Sequence, residues 1–193
     1  PEAVAKREAQ RWGRIVAAAQ DLERWLADQL ARGLAAVDDQ ALSGWRTMAA
    51  RMVDAQASGL GQRLLDAAAV VRKGEHWPER CLHRLGLLQL ACDALQRHAS
   101  LPEPLRDDLR VLAGWPIDKD EVIARGEAVD DRWAVVGVVT DERDTKLVER
   151  RVWLHGMKTG RRAFVLDHAF GGRGFEQAWV AGRSVDATLH FFP

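Results

Sequence analysis

The spacing of apolar positions along this chain changes once, near residue 126, and that change organises the reading. From Glu2 to about Leu34, the residues Trp12, Ile15, Ala19, Leu22, Leu26, Leu30 and Leu34 recur at steps of three or four. No proline intervenes, and the pattern predicts one long amphipathic helix. Its steps drift toward four and include small alanines, so the stripe reads as a face packed on neighbouring helices rather than a coiled-coil seam. Asp38 to Leu42 reads as a connector and Ser43 as the cap of a second helix, whose buried side is Trp45, Met48, Ala49, Met52 and Val53. Ser58-Gly59 interrupts it, and Leu60, Leu64, Leu65, Ala68 and Val71 predict a third helix running to about Gly74. Pro78 opens a fourth, with Cys81, Leu85, Leu88, Cys92 and Leu95 on its apolar stripe. Pro102 and Pro104 begin a shorter fifth through Leu112, closed by Gly114, and a last short helix is expected from Asp118 to Arg125.

Beyond that point the period is two. Trp133, Val135 and Val139 alternate with Val136 and Val138, so both faces of this strand are apolar and a central place in the sheet is expected. Val148, Val152 and Leu154 predict a second strand, Ala163 to Leu166 a third, Trp179-Val180 a short fourth, and Val185, Ala187, Leu189 and Phe191 a fifth. Short connections favour antiparallel neighbours. The fold class is therefore α+β: an N-terminal multi-helix bundle over 1–125, then a small, mainly antiparallel β-sheet or OB-like partly closed barrel over 126–193.

Composition narrows the function classes. With 193 residues, 47% of them apolar, the chain has material for a real core and is not a disordered segment. No apolar run approaches the ~18 residues of a membrane span, and the charged opening PEAVAKREAQRWGR lacks the apolar stretch of a secretory signal, so a cytoplasmic location is expected. Eight tryptophans without a tyrosine point to packing, because indole buries a large area. The charge is balanced at 28 basic and 28 acidic residues, which argues against a basic nucleic-acid module.

Catalytic and metal chemistry find little to stand on. Cys81 and Cys92 fall on one predicted helix about 16 Å apart, too far for a disulfide, which needs Cα atoms within about 7 Å. Cys81 and His83 point about 200° apart on the same helix and cannot close on one ion. Gly182 to Asp186 lacks the second glycine of a nucleophile elbow. Asp167 and His168 are adjacent on a strand and face opposite ways, and Gly171-Gly172-Arg173-Gly174 lacks the Lys-Ser/Thr of a phosphate loop. No catalytic residue and no metal ligand is assigned, and the chain reads as a non-enzyme.

Two clusters remain as candidate binding residues. Arg150, Arg151, Lys158, Arg161 and Arg162 accompany Trp153 in a stretch with no acidic residue from Arg150 to Leu166. If the two strands pair about the Gly156–Gly160 turn, Arg151 and Trp153 share a face, suited to stacking on bases or gripping phosphates. A solvated sheet face with protective edge charges is the alternative. On the second helix Arg51, Asp54 and Gln56 either knit helices together or contact a partner.

The run Arg51-Met-Val-Asp-Ala-Gln-Ala-Ser-Gly-Leu60, followed by Trp77-Pro-Glu-Arg80, resembles the C-terminal body of bacterial SWIM zinc-finger proteins. The later segments Asp131-Arg-Trp133, Arg151-Val-Trp-Leu-His-Gly156, Gly160 to Ala169 and Ala187 to Pro193 extend the likeness over nearly the whole chain. The finger itself, a Cys-x-Cys and Cys-x-His arrangement, is not present, so zinc is expected only in an upstream finger and not in this chain. The resemblance implies a fragment, a trimmed product or a shortened relative. It also implies, by analogy with gene neighbourhoods of that family, partners such as a MoxR-type AAA ATPase or a von Willebrand-factor-A-domain protein. A protein-interaction or scaffold module is thus the leading expectation, and an accessory nucleic-acid-binding module using the basic-aromatic face is the alternative.

Overall fold

The computed structural model describes residues 2–144 and 147–193. Its six helices are α1 Glu2–Arg32, α2 Asp39–Asp54, α3 Ser58–Ala68, α4 Trp77–Gln96, α5 Glu103–Leu112 and α6 Lys119–Arg125. Four strands follow: β1 Ala128–Asp144, β2 Leu147–Gly156, β3 Arg162–Phe170 and β4 Ser184–His190. The chain divides into two compact units, Pro1–Ile117 and Asp118–Pro193, so α6 falls with the sheet. The fold is α+β with a helical bundle.

In the first unit α1 lies along α4, α2 against α3, and α3 against α4. Their apolar stripes meet in one core that includes Ile15, Leu22, Leu26, Trp45, Met52, Leu60, Leu64, Leu85 and Leu88. The predicted stripe of α1 is buried from Ile15 to Leu26, but Leu30 is exposed and Leu34 sits in a separate 3₁₀ turn. Asp38 rather than Ser43 caps α2, accepting a hydrogen bond from the Ala41 N–H at 2.7 Å, so the expected connector supplies the first helical turn. Ser43 lies inside that helix, where its carbonyl accepts from the Thr47 hydroxyl. α3 ends at Ala68, short of Gly74.

The break between α2 and α3 comes earlier than Ser58-Gly59. It falls at Ala55 to Ala57, with Gln56 in the left-handed region at φ 63°. Gly59 sits in the first turn of α3, pressed on the end of α5: its N–H donates to the Ala113 carbonyl at 3.0 Å, and Arg63 donates to the Leu112 carbonyl at 3.0 Å. A glycine is needed there for close backbone approach, not as a helix breaker.

The second unit carries one open antiparallel sheet in the order β3-β2-β1-β4. β1 is long enough to serve two partners: its first half, from Ala128, pairs with β4, and its second half, from Trp133, pairs with β2. β3 and β4 end up at opposite edges, so the barrel alternative is not formed. The expected fourth strand at Trp179-Val180 is not a strand; the segment is irregular, and Trp179 packs half-buried against the core of the sheet. That core is small: Val129, Trp133, Val135, Val152 and Leu154 on one face. A register shift between Val135 and Gly137 leaves Val136 exposed, so β1 is interior in the sheet but not buried on both faces.

Candidate functional site

Strand register sorts the candidate residues by face, because successive side chains alternate. On β2, Arg150, Val152 and Leu154 turn to the core, while Arg151, Trp153 and His155 lie on the outer side with Glu149, which is itself buried at 9% exposure. Arg150 is therefore corrected as a binding residue. It is 7% exposed, its guanidinium donates to Asp167 at 2.6 Å and to the Gln177 carbonyl at 2.7 Å, and it lies 3.9 Å from the Phe175 ring centroid. It ties the irregular segment after β3 onto the inner face, which is structural work.

Arg151 and Trp153 do share the outer face. The Trp153 ring tilts against Phe164 of β3 at a centroid distance of 5.6 Å. One row along, Arg151 is flanked by Val139 on β1 and Leu166 on β3. Val139, Trp153, Phe164, Leu166 and Phe170 are 39 to 64% exposed, an apolar patch over three adjacent strands. Arg151 is held by Asp141 and by Glu149 at 3.3 Å, and His168 stands 3.8 Å from Glu149. The cation at the centre of the face is thus neutralised by its own strands.

The remaining basic residues spread around the Gly156–Gly160 turn. Arg161 pairs with Glu127 at 2.6 Å and lies over the Phe191 ring, whereas Lys158 and Arg162 are exposed with no ion-pair partner among the described residues. Arg162 faces His155 across the strands on the outer side. Three of the five clustered cations, Arg150, Arg151 and Arg161, are engaged within the unit.

The turn is organised by Asp131, which is 1% exposed and which sequence patterning did not single out as a site. Its carboxylate accepts from the Arg132 N–H at 2.6 Å, the Lys158 and Thr159 N–H groups at 2.9 Å each, and the Thr159 hydroxyl at 2.5 Å. Gly156 leaves room for it, since a Cβ there would fall 2.4 Å from the carboxylate oxygen. Burial pushes the Asp131 carboxyl up, but the hydrogen bonds from Thr159, Lys158 and Arg132 outweigh it and hold the group well below the usual carboxylate range. A folded-state value below the unfolded one means that this contribution is complete above the unfolded value and is lost as pH falls through the folded one. Acid unfolding of the sheet unit is therefore expected to set in below about pH 4. In Asp131→Ala the unit should be less stable at pH 7, and its residual stability should fall less steeply below pH 4. A melting temperature that drops with acid as steeply as in the parent chain would remove Asp131 from that role.

In the first unit Arg51 pairs with Asp21 of α1 at 3.4 Å rather than with Asp54, and Gln56 accepts from Arg14 of α1 at 3.1 Å. Asp54 is exposed. Arg51 and Gln56 thus knit α2 to α1, and within the same run Met52 and Ala57 are buried. Cys81 and Cys92 lie buried on α4, where burial pushes both thiols up, Cys92 to about 12 with help from the nearby Glu23 and Asp93 charges. Neither is a thiolate at neutral pH, and their placement does not fit a SWIM-type zinc site. Among the described residues no group of three or more His, Cys, Asp or Glu could hold a metal ion, and no helix is long and apolar enough to cross a membrane.

The outward residues that sequence reasoning missed are Val139, Phe164, Leu166 and Phe170. Their signal is the alternation Phe164, Leu166, His168, Phe170, which reads equally as the buried side of a central strand; β3 is an edge strand instead.

No curated protein and no solved structure matches the chain. A family model described as the SWIM-associated four-helix bundle domain matches residues 10–113, more than half of the 193 residues and nearly all of α1 through α5. The helices of this stretch share a single core, and the chain belongs to the SWIM-associated four-helix bundle family.

Proposed function

We propose that this chain is a non-enzymatic protein-interaction module that docks a protein partner on the outer face of its sheet. One observation supports the reading above all: Val139, Trp153, Phe164, Leu166 and Phe170 are large apolar side chains exposed together on one face of the sheet. Contiguous exposed apolar patches on soluble domains tend to mark interaction sites. Trp153 and Phe164 form its centre, and aromatic anchors of this kind carry most of the energy of an interface. The internally paired Arg151, Asp141 and Glu149 provide a polar element that needs no phosphate to neutralise it. The partner class comes from the resemblance to SWIM proteins: a MoxR-type AAA ATPase or a von Willebrand-factor-A-domain protein.

The test is a binding titration of the immobilised chain against those two proteins from the same organism. Trp153→Ala with Phe164→Ala is expected to weaken capture about 30-fold or more, as hot-spot residues of about 2 kcal/mol do, while the helical circular-dichroism signal stays unchanged. Equal affinity for parent and double variant would reject the face as the docking site. A salt titration against single-stranded DNA separates the alternative: binding that weakens steeply with salt and is lost in Lys158→Ala with Arg162→Ala would favour the nucleic-acid reading.

A further inference from the structure

The core-facing side of α4 is Cys81, Leu85, Leu88, Cys92 and Leu95, all buried. At 100° per residue the opposite line runs Glu79, His83, Gly86, Leu90, Asp93 and Arg97, and Leu82 and Leu87 flank it. Apart from Asp93, which is half-buried and accepts from Gln89 at 3.1 Å, this line faces solvent, yet Leu82, Leu87 and Leu90 are 52, 54 and 63% exposed. Gly86 is equally out of place. Glycine is the least favourable residue after proline in a helix interior, and a Cβ at Gly86 would meet nothing within 4 Å, so no intramolecular contact explains it. An open notch between exposed leucines is what a closely approaching helix requires.

The charges along the same line indicate which helix. Glu79 and Arg97 lie at equal distances on either side of Leu88, as do His83 and Asp93, and as do Gly86 and Leu90. If a second α4 runs antiparallel with the two-fold axis at the level of Leu88, each residue meets its counterpart across that level. Glu79 then faces Arg97 of the second copy, His83 faces Asp93 of the second copy, and Leu90 enters the notch above Gly86. Every one of these contacts occurs twice, as an isologous interface demands. Among the described residues Glu79 has only His76, 3.9 Å away, and the Arg97 Nε donates only to the Asp93 backbone carbonyl at 3.3 Å. Both termini of the line therefore keep charge available for a partner.

We infer that the outer face of α4 is a self-association surface on which two copies of this chain pair antiparallel, with Leu90 of each seated over Gly86 of the other. A single helix pair buries an area at the low end of specific interfaces, so the association is a weak, concentration-dependent one. It is independent of the sheet face proposed above.

Sedimentation velocity of the full chain across a wide concentration range tests it. A reversible monomer–dimer equilibrium is expected, weakened about tenfold or more by Leu90→Lys, which places a charge in the apolar centre. Glu79→Arg alone and Arg97→Glu alone should each weaken the dimer, and the two reversals combined in one chain should restore it, because complementarity returns. These positions are exposed, and thermal melts are expected to stay close to the parent. A chain that is monomeric at every concentration would overturn the inference and leave the stripe to a different protein. So would a dimer indifferent to Leu90→Lys, or a double reversal no better than the single ones.

Discussion

Trp133→Ala is expected to unfold the sheet unit, at a loss of about 3–5 kcal/mol. Trp133 is fully buried, its indole N–H donates to the Ala187 carbonyl of β4 at 2.9 Å, and its ring tilts against Phe191 at 6.2 Å. It also stands where β1 pairs with β2 and β4 at once, opposite Gly156 and Val185. Its buried neighbours in the cluster are Val129, Val135, Val152 and Leu154. A unit with so small a core sits at or below the low end of the about 5–15 kcal/mol of folded domains, so the loss removes most of what it has. The check is a melt followed by two signals: the β contribution should vanish near room temperature while the helical signal, which rests on a separate core, persists. Retention of a cooperative β transition within a few degrees of the parent would show that the sheet does not depend on this ring. Trp153→Ala is the paired control, since that ring is exposed on the opposite face and its loss should change binding far more than stability.

Gly59→Ala is expected to destabilise the helical unit by about 2–3 kcal/mol, against the direction that helix propensity gives. In an unobstructed helix interior alanine is better than glycine by about 1 kcal/mol. At Gly59 an added Cβ would fall 2.1 Å from the Leu112 carbonyl oxygen, 2.7 Å from the Gly114 nitrogen and 2.8 Å from the Ala113 carbonyl carbon. These are backbone atoms, so relief requires moving the end of α5 and breaking the Gly59–Ala113 hydrogen bond. Gly44 in α2 has nothing within 4 Å of the same position, so Gly44→Ala should raise stability by up to about 1 kcal/mol. Chemical denaturation of both variants reads the sign directly. Equal shifts for the two would mean that the α3–α5 contact yields without strain.

The helices were largely legible because their evidence is local. Apolar steps of three and four, a proline at the start of α4 and another in α5, and a glycine after α5 each act within a few residues, and the structure places helices there. Errors at the ends have local causes as well: Asp38 competes with Ser43 as a cap, and its carboxylate reaches the Ala41 N–H. The sheet was legible in part. Period-two alternation marks β1, β2, β3 and β4, but it cannot say which apolar face meets the core when both are apolar, as in Val135 to Val139 and Ala163 to Leu166.

The candidate site shows the same division. Arg150 and Arg151 are neighbours of the same type, and nothing in the linear pattern tells which one is buried. The register with β3 and the return of Gln177 over the inner face decide it, burying Arg150 against Asp167 and leaving Arg151 outside beside Trp153. Asp131 and the Gly156–Gly160 turn are separated by more than twenty residues, so their hydrogen bonds exist only once β1 and β2 have paired.

The amino-acid order by itself determined the α+β class, the number of helices and their approximate places, the buried thiols of α4 and the family. Those follow from periodicity and from residue types whose preferences act at short range. Only the tertiary structure decided that the sheet is open, that Arg150 is a tie and not a ligand-binding cation, that the aromatic residues of β2 and β3 form one exposed surface, and that Gly59 is locked while Gly86 is free. Each of these depends on which distant backbone lies opposite a given side chain, and a one-dimensional pattern carries no information about that neighbour.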